Sequence, residues 1–231
     1  MTLAIFDIDG TLIPGRTEPR FWRYLLVRGL QGPRQILAYA WFLLRCLPRY
    51  GVHVVKKNKA YLVGLATAEV AAHAADFVAS DVLPRLYAPA MHRLQHHLRR
   101  GDVVVLLSGT LEPIARALAD ELGVQHVVAT TCAERYGRYL AHPPIVHPFG
   151  SRKLGLATTL AARLGTELRL ATAYADSGHD LALLEAVGSP VAVRPDAKLK
   201  RAARANAWNV IASGARGGVP GKAGAAEHGY M

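Results

Sequence analysis

Residues 3 to 15 read LAIFDIDGTLIPG. Two carboxylates, Asp7 and Asp9, follow an apolar run with one isoleucine between them. Asp-Gly after such a run is a turn signal and accounts for Asp9-Gly10. It does not account for Asp7, at the end of what should be a buried strand. A half-buried carboxylate costs free energy unless it is paired or bound to a metal. Two close carboxylates also push each other's pKa apart. A cation, or separate roles in one reaction, relieves both costs. A D-x-D-G match is common, so a plain turn and a reactive site both stay open on this stretch alone.

The elements that must position these residues follow from the rest of the chain. Leu3 to Phe6 reads as a short buried strand. Residues 19 to 47 are helical in character and end in the run ILAYAWFLLRCLP. That run is too short to span a bilayer and contains Arg45. An ordinary buried helix is expected there, with a membrane-interface helix or the wall of an apolar pocket as alternatives. TAEVAAHAADFVAS (67–80) reads as an amphipathic helix with Thr67 as N-cap. APAMHRLQHHLRRG (88–101) continues the pattern to a glycine stop. Its His92 and His96 are four apart, but no H-E-x-x-H glutamate stands beside them, so they and His97 are expected as surface polar residues.

From residue 102 the texture changes. DVVVLL (102–107) is a continuous apolar run of the kind found in parallel strands covered on both faces. SGT follows, then a helix to Gly123, a strand at 125–130, and a hairpin turning at Tyr136-Gly137. A helix over 151–164, a strand within 167–177, a helix over 181–187, the strand PVAV, a helix over 196–206 and the short strand WNVI complete the chain. Strand–helix alternation predicts an α/β fold, a Rossmann-like parallel sheet with helices on both faces. The long helical stretch breaks that rhythm. We expect a core of residues 1–12 and 91–213, an inserted α-helical cap at 13–90, and a Gly- and Ala-rich disordered tail at 214–231.

Ligands of open parallel sheets bind beyond the carboxyl ends of the strands. Those ends carry Asp7 and Asp9, then Ser108, Gly109 and Thr110, then Asp176, Ser177 and Asp180; Lys153 opens a helix nearby in sequence. Each has a plain reading as a cap, a turn residue or a surface charge. Together they suit phosphoryl transfer, which needs charge neutralisation and an in-line nucleophile. Asp7 and Asp176 can hold a hard cation, Mg2+ being the natural choice. Asp7 can attack phosphorus and Asp9 can protonate the leaving alcohol. Ser108 and the backbone N–H groups after it, starting at Gly109, can cradle phosphate at a helix N-terminus. Lys153 adds positive charge.

FDIDGTL (6–12), LLSGT (106–110), Lys153 in SRKLG and YADSGHDLALL (174–184) resemble, in order and spacing, the four motifs of the haloacid dehalogenase superfamily of phosphohydrolases. The position of the insert resembles the helical-cap subgroup that includes phosphoserine phosphatase. The resemblance implies a Mg2+-dependent phosphoric monoester hydrolase with Asp7 as nucleophile and Asp9 as acid/base. It implies metal bound by Asp7, the Asp9 carbonyl and Asp176, with Thr11 and Asp180 in support. Phosphoserine phosphatases carry a substrate-gripping glutamate nine residues after the nucleophile. Arg16 stands there in this chain, with Glu18 two residues later, which argues against a substrate ammonium unless Glu18 substitutes.

Composition narrows the partners. The net charge of +11 favours anionic ones. The densest basic cluster, KLKRAARANAW (198–208), reads as a solvated helix face, so no nucleic acid is expected. Cys46 and Cys132 form no C-x-x-C pair and are read as reduced thiols of a cytoplasmic protein. The expected substrate is a small organic phosphomonoester. Two alternatives stand beside it: a lipid-phosphate phosphatase at the membrane surface, similar to phosphatidylglycerophosphate phosphatases, and a non-catalytic basic binding module on the same scaffold. The oligomeric state is not legible.

Overall fold

The structure is a computed structural model that describes residues 2–51 and 54–212. The tail expected at 214–231 lies outside them. Six parallel strands form one sheet in the order β3-β2-β1-β6-β7-β8: β1 Leu3–Phe6, β2 Val103–Leu111, β3 His126–Thr130, β6 Thr172–Ala175, β7 Ser189–Val193 and β8 Asn209–Ile211. A two-stranded hairpin, β4 (Glu134–Arg135) and β5 (Arg138–Tyr139), turns at Tyr136-Gly137 as the sequence predicts.

Period-two alternation sends successive side chains to opposite faces. Ala4, Phe6, Val104, Leu106 and Tyr174 join the apolar cluster on one face. Leu3, Ile5, Val105, Leu107, Ala173 and Ala175 join the cluster on the other. The second face is covered by α7 (Ser151–Arg163), α8 (Leu181–Ala186) and α9 (Ala197–Ala205). The first is covered by α5 (Ala88–Arg99), α6 (Glu112–Leu122) and part of the segment between β1 and β2. That segment holds α1 (Thr17–Val27), α2 (Pro33–Tyr50), α3 (Val54–Lys57) and α4 (Thr67–Phe77). Phe21 and Leu25 of α1 and Val70, Ala74 and Phe77 of α4 belong to the same cluster as Phe6. The insert therefore shares its apolar core with the sheet.

Several sequence expectations are corrected. The helical stretch of 19–47 resolves into α1 and α2, with Gly29 at a φ of +72° between them. The run in α2 is not an ordinary buried helix: only Gln35 and Phe42 of α2 are buried. Thr67 is not the N-cap of α4. Ala66 occupies that position and the Thr67 hydroxyl donates to the Gly137 carbonyl at 3.3 Å. The strand of 102–107 runs on to Leu111, so Ser108-Gly109-Thr110 lies in β2 and α6 starts only at Glu112. Within 167–177 the strand is confined to Thr172–Ala175, after a single 3-10 turn.

His92 and His96 are exposed as expected, but His97 is not a surface residue. Its Nδ1 donates to Asp102 Oδ2 at 2.9 Å, and its Nε2 takes the Tyr174 hydroxyl at 2.9 Å. Asp102 Oδ1 accepts the Thr2 N–H at 3.0 Å. Burial pushes the Asp102 carboxyl up, and the hydrogen bonds from His97 and Thr2 outweigh it and bring it down to about 2. The network also holds Tyr174, whose ring stacks on Phe6 with centroids 4.1 Å apart.

Asp102→Ala leaves the buried His97 Nδ1–H and the part-buried Thr2 N–H unpaired. It is expected to lower unfolding stability at pH 7 by about 2–3 kcal/mol, read by urea denaturation. In the wild type this contribution is full above about pH 4 and is lost as pH falls toward about 2, because the folded carboxyl titrates below the unfolded one.

Candidate active site

Three neighbouring strands, β2, β1 and β6, end at one edge of the sheet, with Phe6 in register with both Leu106 and Tyr174. Asp7 follows β1 directly, and its backbone N–H donates to the Tyr174 carbonyl at 3.0 Å. Asp176 follows β6 and Asp180 closes the 3-10 turn after it. Asp7, Asp176 and Asp180 each bring a carboxylate oxygen to within 4.8 Å of the others. Lys153, in the first turn of α7, reaches Asp7 Oδ1 at 3.0 Å and Asp180 Oδ2 at 2.9 Å. The resemblance implies Asp180 as a supporting group, and the fold puts it in direct contact with Lys153.

Burial, and then the charges of Asp7 and Asp180, push the Asp176 carboxyl up to about 7. Burial also raises Asp180, to about 6, although Lys153 opposes it. Lys153 itself is raised: its burial works against its charge, and Asp7 and Asp180 more than offset that. The donor set, three converging hard oxygens with protons held against their charge, fits a divalent cation of the Mg2+ type.

Asp9 points elsewhere. Its Oδ1 accepts the backbone N–H of Thr17 at 3.0 Å, so it caps α1 from eight residues upstream. Burial and the neighbouring Asp7 raise its carboxyl to about 6, against hydrogen bonds from Thr17 and Thr110. Gly10 makes this loop feasible. Its φ is +85°, and a Cβ there would lie 2.0 Å from Asp176 Oδ2. The Thr11 hydroxyl sits 3.5 Å from Asp176 Oδ1.

Ser108 and Gly109 line the same cavity. β2 is irregular here: Leu107 pairs with Val128 but Leu111 with Thr130, so 108–110 leaves the ladder. The Thr130 hydroxyl donates to the Gly109 carbonyl at 2.7 Å, and the Ser108 and Thr110 hydroxyls lie 3.1 Å apart. Ser108 and Gly109, expected at a helix N-terminus, thus lie in a bulge near the end of β2.

Arg194 was missed. It follows β7, takes a φ of +44°, and donates to the Gly10 carbonyl at 2.7 Å. The strand-end rule that found Asp7 would have found it. His147, Phe149 and His179 form part of the cavity wall, with Trp22, Tyr39 and Tyr61 contributed by the insert. Arg16 and Glu18 also line it, but Glu18 is committed: the buried Lys59 ammonium lies 2.6 Å from Oε1, and the Tyr61 hydroxyl donates to the same oxygen at 3.0 Å. No local pattern marks residues 59–61 as partners of α1.

The model of the family described as haloacid dehalogenase-like hydrolase matches residues 4–185. The chain belongs to that family. It is 30% identical over 230 residues to the phosphoserine phosphatase SerB1 of Mycobacterium tuberculosis, covering 94% of this chain and 74% of that one. It is 30% identical over 225 residues to a histidinol-phosphatase of Neisseria meningitidis, covering 90% and 97%. A solved Bordetella pertussis protein of unknown function superposes with a TM-score of 0.77 at 29% identity, over 91% of this chain and 99% of that one. The chain is a phosphoric monoester hydrolase of the phosphoserine phosphatase type, on the Rossmann-like fold of this family.

Gly10→Ala would push a methyl group into the Asp176 carboxylate and strain a left-handed residue. It is expected to reduce kcat for p-nitrophenyl phosphate by roughly 10- to 150-fold, since one displaced charged contact is worth about 1.5–3 kcal/mol. Steady-state kinetics on protein of unchanged far-UV circular dichroism checks this.

Proposed function

We propose that the chain is a Mg2+-dependent phosphatase that hydrolyses a small organic phosphomonoester through an aspartyl-phosphate on Asp7. The observation that carries this is the meeting of Asp7, Asp176, Asp180 and Lys153 at the ends of adjacent strands. Asp7, Asp176 and the Asp9 carbonyl would hold the metal, with Thr11 and Asp180 in support. When bound, the ion supplies charge neutralisation to the phosphate.

The remaining steps belong to the chain. Asp7 attacks phosphorus in line, and the P–O bond to the leaving alcohol breaks. Asp9, raised to about 6 and buried beside Asp7, holds a proton for the departing oxygen. It then takes a proton from the water that cleaves the acyl phosphate, which returns Asp7 as a carboxylate. Ser108, the Gly109 N–H and Lys153 hold the non-bridging oxygens. The intact acid/base residue favours this enzyme over the non-catalytic binding module.

Helices α1 to α3 serve as the cap over this cavity, which measures about 510 Å³. Trp22, Tyr39, Tyr61 and Phe149 put four aromatic rings on its wall, and Glu18 is already paired. The rings favour an alcohol bulkier and flatter than serine, while the pairing of Glu18 bears equally on every amino alcohol. The histidinol-phosphatase relative acts on such a compound by its name.

The test is release of phosphate from p-nitrophenyl phosphate. Turnover should require Mg2+, vanish with EDTA, and fall at least ~10⁴-fold in Asp7→Asn with the fold intact. Acid quench of labelled substrate should trap phosphoprotein in the wild type and none in Asp7→Asn; retained turnover in that variant removes Asp7 as nucleophile. In a panel of phosphorylated metabolites, histidinol phosphate should exceed phosphoserine in kcat/KM by about tenfold or more, as an imidazole buried against aromatic walls gains a further 1–2 kcal/mol. The reverse order would remove the aromatic walls as the basis of selection.

A further inference from the structure

We propose that the outward face of α2 is a docking surface for an anionic lipid bilayer. Ile36, Ala40, Leu44 and Leu47 recur at helical spacing, with Leu37, Trp41 and Pro48 beside them. All are exposed, the large ones from 53% (Leu47) to 71% (Leu44). The stripe is continuous from Pro33 to Pro48, about 22 Å at 1.5 Å per residue. The opposite side of the helix is committed: Phe42 is buried against Val54 and Ala60, and Tyr39 stacks on Trp22 with centroids 5.9 Å apart. No helix among the described residues is long and apolar enough to cross a membrane. The geometry is that of a helix lying in the interface plane, with tryptophan and leucine on the side that enters the acyl boundary.

Charge selects the occupant. Residues 16 to 57 carry nine Lys and Arg and one acidic residue, Glu18. Glu18 is neutralised by Lys59. Arg45 and Arg49 stand along one flank of the stripe, where their stems can lie on apolar surface and their guanidinium groups can reach headgroup phosphates. A second copy of the same face would bring two such cationic sets together without acids to pair them. An anionic bilayer offers both the apolar layer and the counter-charge.

Vesicles of phosphatidylcholine, with or without phosphatidylglycerol, test this by co-sedimentation with the full chain. The wild type is expected to sediment with the anionic vesicles, with a blue shift of tryptophan emission, and to remain in the supernatant with phosphatidylcholine alone. Leu37→Glu/Leu44→Glu changes only exposed positions and should keep its thermal midpoint while losing at least ~tenfold in partitioning. Failure of the wild type to sediment overturns the proposal. So does equal sedimentation of the double variant, which would leave general charge as the cause, and so does equal binding to neutral vesicles. A stable dimer in solution that the double variant dissociates would assign the face to a second copy instead. The assay reads binding and not turnover, so its outcome is separate from that of the phosphatase reading.

Discussion

Like charges held close together are expensive, and Asp7, Asp176 and Asp180 are held within 4.8 Å of one another. At an effective dielectric of about 20, two ionised carboxylates at that range repel by on the order of 3 kcal/mol. The fold tolerates this in two ways. Lys153 contributes an ammonium to Asp7 and Asp180, and burial raises Asp176 and Asp180 so that protons remain on the cluster near neutrality. Neither measure is complete, which is why the cluster is suited to a cation and an anionic substrate. The backbone must then be stiff enough to keep the carboxylates from moving apart. β1 is hydrogen-bonded on both sides, Gly10 admits the Asp176 side chain, and Arg194 holds the Gly10 carbonyl from β7.

The same loop couples the sheet to the helical insert. Asp9 accepts the first N–H of α1, so a change in the loop is felt at the start of the helix that walls the cavity. Glu18, the next residue of the same first turn, holds Lys59 and Tyr61. Phe21 and Leu25 then bury α1 in the cluster that contains Phe6. The insert is therefore joined to the carboxylate loop by a short chain of contacts, and its position relative to the sheet rests on packing as well as on the chain connection.

α2 obeys a different balance. Most helices gain their stability by burying an apolar stripe. In α2 the stripe faces away from the protein, and the buried anchor is Phe42 with Gln35. The Gln35 amide donates to the Val63 carbonyl and its oxygen accepts the Gly32 N–H, so polar contacts hold the N-terminal end. An apolar surface of this length exposed beside a basic segment costs free energy in water and is consistent with a partner outside the chain.

Much of the molecule was legible in the sequence. Alternating apolar runs and helical periods gave the parallel sheet, because burial on both faces demands unbroken apolar strands such as 103–107. The motifs placed Asp7, Asp9, Ser108, Lys153 and Asp176 at strand and helix ends, because local chemistry repeats where a strand meets a loop. Other features depend on contacts between distant segments. His97 is buried because Tyr174 and Asp102 close over it; the Glu18–Lys59 pair spans 41 residues; Arg194 meets Gly10 across 184. Helical periodicity shows that a helix has an apolar face, not which way that face turns, so it does not reveal that the stripe of α2 faces outward. The amino-acid order alone determined which groups can carry charge and protons and where the backbone must bend. The three-dimensional packing decided which of those groups touch, since pKa, pairing and exposure depend on neighbours that the chain brings together only when folded.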